Sequence, residues 1–144
     1  MNDKPFNPDP PAYTEGFMEL DYERVLESLQ EDPTQATLFF GELNTTLLHA
    51  AAYDGQLVIV KKLISLGADV NAREISGLTP LHFAANQSCI DIIEELVANG
   101  ADINAKEEKG RTVLVWGKSC SAGTTEHQDE VIKKLLTLGA KDDG

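Results

Sequence analysis

The sequence predicts an all-α chain built by stacking repeated units, and three observations carry that reading. Thr46-Leu-Leu-His-Ala-Ala-Ala52 returns as Thr79-Pro-Leu-His-Phe-Ala-Ala85 and, degraded, as Thr112-Val-Leu-Val-Trp-Gly-Lys118, each step being 33 residues. Gly67-Ala-Asp-Val-Asn-Ala72 returns 33 residues later as Gly100-Ala-Asp-Ile-Asn-Ala105, with a third copy cut short at Gly139-Ala140; self-similarity at this period marks a stacked architecture. Between the copies lie helix-period segments, Val58–Ile64, Asp91–Val97 and Glu130–Leu136. Composition agrees: 42% apolar and 25% charged residues over 144 positions is globular, and long enough for one core without staples.

Residues 1–18 read as a flexible, acidic and proline-rich arm, since four of the six prolines fall in residues 1–16. Tyr22, Val25, Leu26 and Leu29 then define one face of a helix. Thr46 and Thr79 suit helix N-caps, and Pro80 suits a first helical turn, where a missing N–H costs nothing. The pairs Ala51-Ala52 and Ala84-Ala85 allow neighbouring helices to approach, while Gly67, Gly100 and Gly139 each follow an amphipathic helix where a left-handed residue is wanted. Each unit leaves an apolar face that only a neighbour can cover, so both ends need capping.

The 33-residue period and the Thr-Pro-Leu-His-x-Ala pattern resemble the ankyrin repeat family over about residues 19–141. The resemblance implies a solenoid of helix–loop–helix units with short β-hairpin fingers. Val25, Leu26 and Leu29 then take the roles of Ile59, Val60 and Leu63 in a half-repeat N-terminal cap, 19–43, followed by repeats 44–76, 77–109 and 110–144. It also implies that His49 and His82 brace neighbouring loops.

Three departures stand out. The last repeat is six residues longer, Gly100 to Gly139 being 39 rather than 33, with the extra length near 119–127. Thr125 and Gln128 suit a capping box that restarts the outer helix, and the insertion is expected as a surface loop, either functional or merely tolerated. The same repeat reads Val115-Trp116-Gly117 where the family has His-Leu-Ala, so it should be the weakest; Trp116 either fills the edge of the stack or anchors a partner. The first finger carries Leu38-Phe39-Phe40, and adjacent side chains on an extended segment alternate, so one phenylalanine should stay partly exposed.

Charge is unevenly placed. There are 24 acids against 12 bases, net −12; residues 1–58 hold 11 acids with only Lys4 and Arg24, for a net of −9. Such a field repels nucleic-acid phosphates and anionic lipid and favours a basic protein partner, although it also serves solubility. Glu19, Glu23, Glu27 and Glu31 recur every four residues along the first helix, either a solvated face or a docking stripe. No run of 18–20 apolar residues suggests a membrane span, and the opening residues lack the apolar core of a secretory signal. Cys89 and Cys120 lack metal-finger spacing and are expected as free thiols in the cytoplasm.

No phosphate loop, His-Glu-x-x-His or nucleophile elbow is present, so no enzymatic activity and no cofactor or metal are expected. The resemblance implies a protein-binding module, monomeric when free. Its contact positions carry over to finger residues Arg73, Glu74, Ile75, Ser76, Lys106, Glu107, Glu108 and Arg111 and to inner-helix residues Tyr53, Asp54, Asn86 and Gln87, with Tyr53 the best anchor. Trp116, Phe40, Glu23 and Glu27 join that set on the arguments above. A small self-contained acidic binder suits an inhibitor or immunity-type protein that neutralises a basic toxin, effector or enzyme. The alternative is an adaptor tethering two proteins through the proline-rich arm, and a distant third is a metal-dependent enzyme around His127.

Overall fold

The computed structural model describes residues 21–39, 44–119 and 124–141. Helix α1 (Tyr22–Glu31) leads into a 3-10 turn at Pro33–Thr37, followed by three antiparallel helix pairs: α2 (Leu47–Tyr53) with α3 (Leu57–Ser65), α4 (Pro80–Asn86) with α5 (Ile90–Ala98), and α6 (Val113–Lys118) with α7 (Thr125–Thr137). The inner helices α2, α4 and α6 pack in sequence, and so do the outer helices α3, α5 and α7.

Asp21 caps α1, its carboxylate accepting from the backbone of Glu23 and Arg24. On the next turns Val25 and Leu29 are buried, while Tyr22 and Leu26 are partly buried against the same core. This is the face the apolar spacing predicts. The core runs through the whole stack: Leu48, Ile59 and Leu63, then Leu81, Ile93 and Leu96, then Leu114 and Leu135, are all 2% exposed or less. Each such side chain contributes roughly 1.5–3 kcal/mol by leaving water, and most of that depends on a neighbouring pair being present. Ala51, Ala52, Ala84 and Ala85 are fully buried where inner helices meet.

Thr46 and Thr79 each close a reciprocal cap with the histidine three residues on. Thr46 N–H donates to His49 Nδ1 at 3.1 Å, and His49 N–H donates to Thr46 Oγ1 at 3.3 Å. A backbone N–H can only donate, so Nδ1 is the acceptor and the ring proton sits on Nε2. Nε2 then donates to the Leu78 carbonyl at 2.9 Å, tying one unit to the next. His82 repeats the scheme: its Nδ1 accepts from Thr79 N–H at 3.1 Å and its Nε2 donates to the Arg111 carbonyl at 3.4 Å. Val115 stands where a third histidine would, and Thr112 caps α6 alone. Burial holds both imidazoles near a pKa of about 4.

A second set of ties runs along the other edge. The Asn71 amide donates to the Gly100 carbonyl at 3.0 Å and accepts from Asp102 N–H at 2.7 Å. Asn104 does the same with the Gly139 carbonyl at 3.4 Å and Lys141 N–H at 2.9 Å.

The fingers are tight turns, and among the described residues the second one carries one isolated antiparallel bridge, Lys106 to Thr112. One expectation needs correction. Helix α7 is capped by Thr124 rather than Thr125: Thr124 accepts from His127 N–H, so Thr125 is already helical. Thr124 with His127 reproduces the Thr-x-x-His spacing, and Gln128 instead donates across the insertion to the Lys118 carbonyl. The N-terminal arm, Glu19, Phe40 and Cys120 lie outside the described residues.

Candidate protein-binding surface

The fingers are built around two carboxylates at equivalent positions. Glu74 Oε1 accepts from Ser76 N–H at 2.6 Å and Leu78 N–H at 2.9 Å. Glu107 Oε1 accepts from Lys109 and Arg111 N–H, both at 2.9 Å, while its Oε2 takes the Arg111 guanidinium at 2.9 Å. Both residues are 6% exposed. They were expected among the outward contact positions and are instead turned inward, because a tight turn leaves N–H donors that need an acceptor. Desolvation pushes the Glu74 carboxyl above its usual range, whereas the Arg111 hydrogen bond holds Glu107 at about 2.

With those acids withdrawn, the exposed finger residues are Arg73, Ile75, Lys106, Glu108, Lys109 and Arg111, with Ser76 half-buried. Arg73 crosses between fingers, its Nη1 donating to the Lys106 carbonyl at 2.6 Å. Gly77 lets the two turns close on each other: it sits at φ +82°, Glu108 N–H donates to the Ser76 carbonyl at 2.8 Å, and a Cβ on Gly77 would lie 3.0 Å from the Glu108 nitrogen.

The inner helices carry an aromatic row. Phe83 meets the His49 ring edge-on at 5.8 Å and the Tyr53 ring edge-on at 5.9 Å. Trp116, one repeat further, meets His82 edge-on at 6.2 Å and lies beneath the Arg111 guanidinium at 5.1 Å. Tyr53, Asn86, Gln87 and Trp116 are all half-buried rather than fully exposed. Trp116 packs into the stack as an edge-filling residue would, but its indole Nε1 is buried without a partner among the described residues.

At the opposite end, Tyr22 OH donates to Asp54 Oδ2 at 2.5 Å, fastening the start of α1 to the end of α2. Burial, and then this carboxylate, push the Tyr22 phenol above its usual value; burial also raises Asp54, against the effect of the hydrogen bond. The contact sets the start of the acidic helix against Asp54, the residue that follows Tyr53. Asp21, Glu23, Glu27, Glu31 and Asp32 are all exposed there, with Arg24 the one cation of α1. Phe39 is 50% exposed and Leu38 44%. No local pattern marks the Tyr22–Asp54 contact, whose partners stand 32 residues apart.

Among the described residues no group of three or more His, Cys, Asp or Glu gathers to hold a metal, and no helix is long and apolar enough to cross a membrane. Cys89 is a half-buried free thiol whose pKa burial pushes up.

Helix pairs stacked in register, with histidine and asparagine side chains bonding each unit to the next, define a repeat solenoid. A family model described as Ankyrin repeats (3 copies) matches residues 21–107 and 48–143. The chain belongs to the ankyrin repeat family, which makes it a protein–protein interaction module of a family that is generally non-catalytic. No curated protein matches the chain.

Proposed function

We propose that this module recognises a basic protein and acts as an inhibitor or immunity-type neutralising partner, a monomer in the cytoplasm until it binds. The observation that supports this reading is the acidic face of α1, five exposed carboxylates against one arginine, fastened by Tyr22 to Asp54, the residue that follows Tyr53. Charges of this kind steer encounter and set the association rate, and a neighbouring aromatic slows dissociation. On this reading Glu23 and Glu27 gather the partner and Tyr53, Asn86 and Gln87 hold it. The cap at 19–43 and the repeats at 44–76, 77–109 and 110–144 are the units that present these groups. The unpaired Cys89 thiol suits a reducing compartment.

The test is binding kinetics against a partner captured from the native cell, at two ionic strengths. Reversing Glu23 and Glu27 to lysine should lower the association rate, with a loss that shrinks at high salt. Tyr53→Ala should speed dissociation at a cost of about 1–2 kcal/mol. Because Tyr53 also touches Phe83, urea melts must show that the variant keeps its fold. A partner whose association is indifferent to both α1 charges and salt refutes the basic-partner reading.

A further inference from the structure

We infer that the finger ridge is a second protein-binding surface of opposite sign, fitted to an extended acidic segment that places one apolar side chain on Ile75. The inference rests on the chain being a protein-binding module and not on its having a basic partner.

Three observations carry it. The acids that the sequence places on the fingers are removed from the surface: Glu74 and Glu107 face inward, on the backbone of their own turns. What remains exposed at the tips is Arg73, Lys106 and Lys109 against Glu108, with Arg111 paired to Glu107, in a chain of net charge −12. These cations are partly fixed in place. Arg73 is held by the Lys106 carbonyl at 2.6 Å, and Arg111 is clamped between Glu107 at 2.9 Å and the Trp116 ring at 5.1 Å. A guanidinium has five donors, so both keep N–H groups for a carboxylate after these contacts. Ordering them in advance lowers the entropy lost on binding.

Ile75 is 60% exposed, between Arg73 and the Gly77 turn, and Ser76 closes against the next finger through the Glu108 N–H. An apolar side chain held open on a rigid turn and flanked by cations matches an acidic stretch interrupted by one leucine or isoleucine. A basic segment would meet repulsion along the same ridge. The α1 face and the finger ridge would then take partners of opposite charge, the arrangement an adaptor requires.

The experiment uses the ¹⁵N-labelled full chain and two synthetic probes, a nine-residue Asp/Glu peptide with a central leucine and its lysine counterpart. The acidic probe should shift amides of 73–77 and 106–111 and weaken as salt rises. Lys106→Glu with Lys109→Glu should reduce its affinity about tenfold, since both lysines are exposed and each reversal replaces attraction with repulsion. Ile75→Ser should weaken the leucine probe but not a leucine-free acidic one. Failure of the acidic probe to move these amides at millimolar concentration overturns the inference, as does unchanged affinity in the double lysine variant. The lysine probe reports separately on α1, so the two surfaces stand or fall apart from each other.

Discussion

Lowering the pH from 7.5 to 5 should destabilise this fold through two histidines, although it brings an acidic protein closer to neutrality. His49 and His82 have pKa values of about 4 in the folded chain against 6.5 for an ordinary imidazole. Desolvation is the main cause, and the bonding pattern reinforces it: protonating Nδ1 would point a new N–H at the Thr46 or Thr79 N–H that it now accepts. Asp69 near His49, and Glu107 near His82, favour the charged ring without overcoming burial; Arg73 opposes it at His82, and the two imidazoles disfavour each other's charge at His49.

A depressed folded-state pKa means that the unfolded chain takes the proton first. Stability is therefore complete above about pH 6.5 and falls with pH until the folded rings titrate near 4. Between pH 7.5 and 5 the loss is about 2 kcal/mol per histidine, or about 4 kcal/mol for both. That is a large part of a typical domain's stability of 5–15 kcal/mol. Urea melts followed by circular dichroism at pH 7.5, 6.5, 5.5 and 5 measure it. His82→Asn, weaker throughout, should lose about 2 kcal/mol less over the same range. Stability that holds constant from pH 7.5 to 5, or an unaltered slope in the variant, refutes the argument.

Two further outcomes follow from the packing. Gly77→Ala should destabilise by about 1–3 kcal/mol in urea melts, since it combines a left-handed backbone with a methyl group 3.0 Å from the Glu108 nitrogen. Hydrogen exchange in α6 should be at least about fivefold faster than in α4, because Val115 makes no equivalent of the His49 and His82 bonds.

The repeat register made the architecture legible, for physical reasons that particular residues show. Thr46, Thr79 and the histidines three positions on recur because the same N–H groups must be satisfied in each unit. The apolar positions of α1 could be placed by spacing alone. Glu74 and Glu107 were misplaced although a signal existed: they are the same residue type at the same position, each three before a glycine, which suits a turn-building role better than recognition. The start of α7 slipped by one residue because Thr124 and Thr125 are adjacent and either can cap. Nothing local foretold that Arg73 would reach the Lys106 carbonyl or Tyr22 the Asp54 carboxylate. Both pairs depend on how neighbouring units settle against one another.

The asparagine ties have a consequence for how this chain can vary. Asn71 bonds residues 29 and 31 positions ahead; Asn104 bonds residues 35 and 37 positions ahead, yet reaches equivalent groups. The whole difference is the length of the insertion, so the stack keeps phase across it. Spacing along the stack is metered by junctions that compare one unit only with the next, and none of these four bonds involves the α6–α7 connection. Lengthening or rewriting that connection should therefore leave the pitch of the array untouched, which makes it the natural place to graft a foreign sequence.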